Sequence, residues 1–250
     1  MTLPQSLRRA AATAVEANAL LKDPAALRSG TRPQLRRYDV VSLMPDGSIA
    51  EQRHIAPSLP LFENAFTAFC RGALVETTQG PIAVEDLLPG DEILTEDGTC
   101  STLVWKGSTS LVPARQESTG RNHRLTSFMP DSLGDAKPMG TVVVGPSARL
   151  LQQSPMPGLY LAHRPSLVPV QHYHDGMSIV EAAPPTAVDT FHLCLSRHSV
   201  IKVGGLMFET YHPGPDALRL VSHAIRSLFL NLFPHVDAIG DFGALAYPRA

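Results

Sequence analysis

Three cysteines and ten histidines are the residues of this 250-residue chain best suited to nucleophilic or proton-transfer chemistry. Cys70 lies in Ala68-Phe69-Cys70-Arg71-Gly72. A thiolate attacks a carbonyl carbon when it is accessible and has a base or cation beside it. Arg71 is adjacent. The plainer reading is a small apolar residue in a strand, because free cysteine is among the most buried residue types. His192 and His198 flank Leu193-Cys194-Leu195-Ser196-Arg197, and in one regular strand they would share a face. Either imidazole can act as a base or acid near neutral pH. Taken singly, a hydrogen-bonded structural histidine is the simpler assignment for each.

Two other groupings are weaker. His172 and His174 would project from one face if Val-Gln-His-Tyr-His-Asp-Gly is extended, and Cys194 would be their partner in a metal-binding alternative. Zinc needs three or four placed ligands, and the three cysteines include no Cys-x-x-Cys pair. The expectation is therefore no metal and no small-molecule cofactor. Glu85-Asp86 can be read as an acid/base pair, or as side chains that cap backbone N–H groups at the corner before Pro89-Gly90-Asp91. The sequence contains no GxSxG, P-loop, HExxH or GxGxxG, so serine hydrolase, NTPase, zincin and dinucleotide readings lack local support.

The elements that must hold these residues are short. There are 22 prolines and 18 glycines, which favours many strands and turns over long helices. Apolar residues reach 44 % against 18 % charged, enough to form a core. The net charge of −2 has no basic cluster, which argues against nucleic acid as a partner. No run of about 18 apolar residues occurs, so no membrane span is expected. The first 23 residues lack a continuous apolar segment, and three cysteines are an odd count. A reduced, cytoplasmic protein is the expectation.

Along the chain, residues 4–29 carry Ala and Leu at helical spacing, followed by the linker Ser-Gly-Thr-Arg-Pro. Tyr-Asp-Val-Val-Ser-Leu and Ser-Ile-Ala-Glu-Gln-Arg-His-Ile then read as a hairpin turning at Pro45-Asp46-Gly47. Residues 1–61 form an N-terminal extension, 62–214 a main β domain, and 215–250 a C-terminal helix and tail. Within the main domain the strands read as Gly-Ala-Leu-Val-Glu-Thr-Thr, Pro-Ile-Ala-Val-Glu-Asp-Leu, Asp-Glu-Ile-Leu, Ser-Thr-Leu-Val-Trp-Lys-Gly-Ser and Thr-Ser-Leu-Val-Pro-Ala. A polar loop over 115–124, the buried run Val142-Val143-Val144 and two short strands within 154–185 follow. A last hairpin turns at Gly204-Gly205, and an amphipathic helix runs from Asp216 to Phe233. The tail Asp-Phe-Gly-Ala-Leu-Ala-Tyr-Pro-Arg-Ala reads as an extended peptide able to dock.

Arg71-Gly72-Ala73-Leu74-Val75 through Val84-Glu85-Asp86-Leu87, Pro89-Gly90-Asp91 and Trp105-Lys106-Gly107 resembles the opening of a Hint domain, the fold of Hedgehog autoprocessing domains and inteins, and its bacterial branch most closely. Gly140-Thr-Val-Val-Val-Gly-Pro-Ser-Ala-Arg149, the Pro-Val-Gln-His-Tyr-His-Asp-Gly segment and the hairpin from Thr190 to Gly214 extend the resemblance over about residues 66–214. It implies a mainly β Hint fold of short antiparallel strands with pseudo-two-fold character. It also implies self-cleavage chemistry, in which a first cysteine attacks the preceding carbonyl and a middle-strand histidine assists. Carried over to this sequence, the nucleophile slot is Ala68 and the histidine slot is Ala148. Only His192 and His198 match the closing-hairpin histidines. A methyl group neither attacks nor transfers a proton, and losing a nucleophile or its base costs about 10⁶ in rate in enzymes studied this way. The expectation is thus a catalytically inactive binding or structural module with a protein partner. The alternative is self-processing by Cys70, with His192 or His198 as base. On an extended strand Cys70 lies about 6–7 Å beyond the slot.

Overall fold

The structure, a computed structural model, describes residues 35–112, 123–153, 164–219 and 221–250. The expected helix at 4–29 and most of the polar loop lie outside the described residues.

The chain opens with β1 (Leu35–Leu43) and β2 (Ile49–Pro57), an antiparallel hairpin whose register runs from Leu35 opposite Pro57 to Leu43 opposite Ile49. Its turn has Gly47 at φ 81°, the left-handed backbone that glycine adopts without a Cβ penalty. A short helix α1 (Pro60–Glu63) starts at a proline, then β3 (Phe69–Cys70), β4 (Leu74–Thr77), β5 (Gly80–Ala83) and β6 (Glu92–Leu94) follow. The pieces read as separate strands around Trp105 are one 12-residue strand, β7 (Cys100–Leu111). Lys106 is what makes this possible. It interrupts the apolar pattern, yet it is buried with its ammonium donating to the carbonyls of Glu85 and Leu87. Beyond it come β8 (Leu125–Phe128), β9 (Val142–Val144), β10 (Arg149–Gln152), β11 (Ser166–Pro169), β12 (Ile179–Ala182), β13 (Val188–Leu195), β14 (Val200–Val203) and β15 (Leu206–Glu209).

These strands join into one antiparallel system ordered β11-β10-β15-β14-β4-β6-β7-β13-β3-β9-β8-β12. β7 holds it together. Its first residues pair with β6 and its later ones with β13 and β1. One core fills the inside of the system, with Phe69, Leu103, Phe128, Val144, Leu193, Ile201 and Phe208 among its members. A second core lies on the flank. Tyr38 and Val40 of β1, Phe62, Phe66 and Trp105 pack there against Phe229, Leu232 and Phe233. Trp105 donates its indole N–H to the Leu232 carbonyl at 2.7 Å, which satisfies the one polar atom of a fully buried ring.

The C-terminal helix is shorter than its apolar spacing predicts. α2 spans His223–Leu230, and residues 216–219 form turns. Ser222 accepts a hydrogen bond from Ile225 N and so begins the helix there. Arg226 reaches back to the Leu218 carbonyl and holds Leu218 in the core as part of a turn. Val170–Tyr173 is likewise a 3₁₀ turn where an extended segment was expected. No helix among the described residues is long and apolar enough to cross a membrane.

Candidate functional site

Every residue of the expected slot is held by local backbone geometry. Helix α1 leads into Thr67, whose hydroxyl donates to the Glu63 carbonyl at 2.9 Å. Glu63 is itself buried and paired with Arg36 at 3.3 Å. On the other side, β3 lies against β13, with Phe69 opposite Phe191 and Cys70 opposite Thr190. Ala68 and His192 are the next residues beyond that ladder. Ala68 N donates to Phe191 O at 3.0 Å, which keeps the slot at the His192 end of the strand.

The turn joining β9 to β10 cups the Thr67–Ala68 peptide. Ser147 N donates to Thr67 O at 3.2 Å and Gly145 N to Ala68 O at 2.8 Å. A Cβ on Gly145 would stand 2.0 Å from Thr67 O, so a glycine is what permits this approach. Ala148 closes the turn, with its N–H on Gly145 O and its carbonyl accepting from Val170 N. Ala68 and Ala148 are both buried, and both belong to the internal core. Backbone donors thus surround the bond that the resemblance marks for cleavage, while the two side chains facing that role are methyl groups.

A charged cluster lies next to it. β13 stops at Leu195 with an irregularity at Cys194 and Leu195, so His192 and His198 are not on one strand as their spacing suggested. They still converge on Glu209, the last residue of β15. His198 Nε2 stands 3.1 Å from the carboxylate, and its Nδ1 accepts from Ala246 N. His192 Nδ1 accepts from Leu193 N, which places the proton on Nε2. Burial drives the His192 pKa down to about 3, so this imidazole is neutral. Burial opposes ionisation of Glu209. The hydrogen bond from His198 and the charge of Arg249 outweigh it and hold the carboxyl below its ordinary value.

Arg249 comes from the tail. Its guanidinium donates to Glu209 at 2.9 Å and to the His212 carbonyl. The tail docks as expected: Leu167 N donates to Pro248 O, Ala250 N to Leu167 O, and Tyr247 Oη to Glu96 at 2.6 Å. Arg149, at the start of β10, approaches the same carboxylate at 3.8 Å. Sequence reasoning gave Glu209, Arg149, Arg249 and His212 no role. The available signal was a single arginine in the tail and a single acid in the closing hairpin from Val200 to Glu209.

The remaining candidates lie elsewhere. Cys70 is buried against Leu111 and Leu125 and borders a different cavity, with Arg71, Val142 and Val203. Burial pushes its thiol up to about 12. Cys194 is in the flanking core, with its Sγ 3.9 Å from the Tyr211 carbonyl. His172 sits in the 3₁₀ turn, and His174 Nδ1 lies 3.1 Å from Ile179 O, so the two are not side by side on a strand. Among the described residues no three His, Cys, Asp or Glu side chains are grouped to hold a metal. Glu85 accepts from Gly72 N at 2.8 Å, in the turn between β3 and β4 and not at the corner before Pro89, where Leu88 N donates to Asp91 instead.

A family model for the Hint domain matches residues 67–215, more than half of the chain. Among solved structures, the chain is similar to a bacterial intein-like domain from Clostridium thermocellum, with 10 % identity, a TM-score of 0.37, and coverage of 58 % of this chain and 99 % of that one. It is also similar to the MchDnaB-1 intein, with 14 % identity, a TM-score of 0.32, and coverage of 58 % and 100 %. No curated protein matches the sequence.

Proposed function

Since the chain belongs to the Hint domain family, we propose that it is a Hint module without self-cleavage chemistry, whose former catalytic site now serves binding or assembly with a protein partner. The observation that carries this reading is the Thr67–Ala68 peptide. Its carbonyl, Thr67 O, accepts from Ser147 N, and the next one, Ala68 O, accepts from Gly145 N, but the side chains at positions 68 and 148 are buried methyl groups. A fold persists without its chemistry when the scaffold's stability does not depend on the reacting groups. Here the core includes both alanines, so the vacancy is packed into the structure. Attack by Cys70 has less support. Its thiol is pushed up by burial, and its neighbours in the packing are aliphatic.

Intact mass tests the reading. Freshly purified protein, before and after incubation with dithiothreitol, is expected to remain one species at 26.9 kDa. Fragments meeting at Thr67–Ala68, or just before Cys70, would overturn it.

A further inference from the structure

A cavity of about 270 Å³ opens beside the vacated site, between the β9–β10 turn, β13, β15 and the tail. Its lining includes Arg149, Arg249, His192, Ser147 and Asn64, and Glu209 is its single carboxylate. Arg249 donates through Nε to Glu209 and through Nη2 to the His212 carbonyl. Arg149 is held less closely. Its one ion pair is the long 3.8 Å contact, and its Nε is buried with no partner. Ser147 Oγ is buried and unpartnered as well. His192 is neutral and carries its proton on Nε2. The lining therefore holds two guanidinium charges against one carboxylate, with unused donors on Arg149, Ser147 and His192.

We infer that this cavity is a binding site for a small oxoanion, a carboxylate or phosphoryl group, with Arg149 as its main ligand. A guanidinium presents paired N–H donors that match two oxygens of such a group. An anion here would balance the second arginine, whose side chain is partly exposed but whose Nε is buried. It would also give Arg149 Nε and Ser147 Oγ the acceptor that the protein does not supply. Leu61, Pro213 and Ala217 complete the wall and offer an apolar surface to whatever carries the anionic group. The inference rests on reading the vacated site as a binding site, and it names the chemistry bound.

The full-length protein is titrated calorimetrically with inorganic phosphate and, separately, with acetate, each against chloride at matched ionic strength. Saturable one-site binding of at least one anion is expected, and the two arms distinguish a phosphoryl from a carboxylate ligand. Arg149→Met is expected to weaken binding at least about tenfold. If that variant does not fold, Arg149→Lys keeps the charge near Glu209 but loses the fork, and about fivefold weaker binding is expected. Binding no better than chloride, or unchanged in the arginine variant that folds, overturns the inference. Intact mass recorded on the same samples separates the outcomes. One full-length species without anion binding removes only this inference, whereas fragments remove the reading it rests on.

Discussion

The two ends of β3 lie within three residues of each other and have opposite surroundings. At the Ala68 end there are two imidazoles, a buried carboxylate and two guanidiniums, but no nucleophile. At the Cys70 end there is a nucleophilic atom among aliphatic side chains, and the one nearby cation, Arg71, is paired with Glu85 at 3.6 Å. Chemistry needs these groups within hydrogen-bond reach of one another. Having both sets of groups beside one short segment is therefore not sufficient.

The largest expected effect comes from breaking the charged end. Glu209→Ala leaves Arg249 and Arg149 without their carboxylate and should cost about 3–5 kcal/mol in urea unfolding. Cys70→Ala at the apolar end should cost much less, on the order of 1 kcal/mol, since one small buried group is lost. Equal losses would mean that the two ends do not differ in the way described.

A smaller effect follows from pH. His192 keeps a depressed pKa of about 3 in the folded protein. Below about pH 6.5 the unfolded chain takes up a proton that the folded chain does not, so stability falls on acidification. From pH 7 to 5 this histidine alone should remove about 2 kcal/mol. Burial also lowers His212 and His235, and Glu209 is lowered too, so all four act in the same direction. The urea midpoint of His192→Gln, followed over the same range, should fall less steeply. A slope identical to that of the unsubstituted protein would show that His192 does not titrate as described.

The smallest effect concerns reactivity. With the Cys70 thiol near 12, only about one molecule in ten thousand is thiolate at pH 8. Brief iodoacetamide treatment of native protein should label exposed Cys100 and spare Cys70 and Cys194. Rapid labelling of Cys70 would reopen its case as a nucleophile.

Much of the fold could be read from the chain. Asp97-Gly98 and Gly204-Gly205 turn hairpins as their types predict, because each turn needs the left-handed backbone that glycine accepts. That positions 68 and 148 carry methyl groups was also legible, since residue identity alone decides whether a side chain can donate or attack. The length of β7 and of α2 was not. Lys106 is buried by carbonyls some twenty residues earlier, and Ser222 begins a helix that the apolar spacing would have started at Asp216.

The sequence by itself determined the family pattern, the strand-and-turn rhythm and the residue types at positions 68 and 148, because these are local properties of residue type and spacing. Tertiary structure decided what surrounds them. Arg249 meets Glu209 across 40 residues, and Trp105 meets Leu232 across 127. Burying a charge or an indole N–H requires a partner, and nothing in local periodicity says which distant part of the chain will provide it.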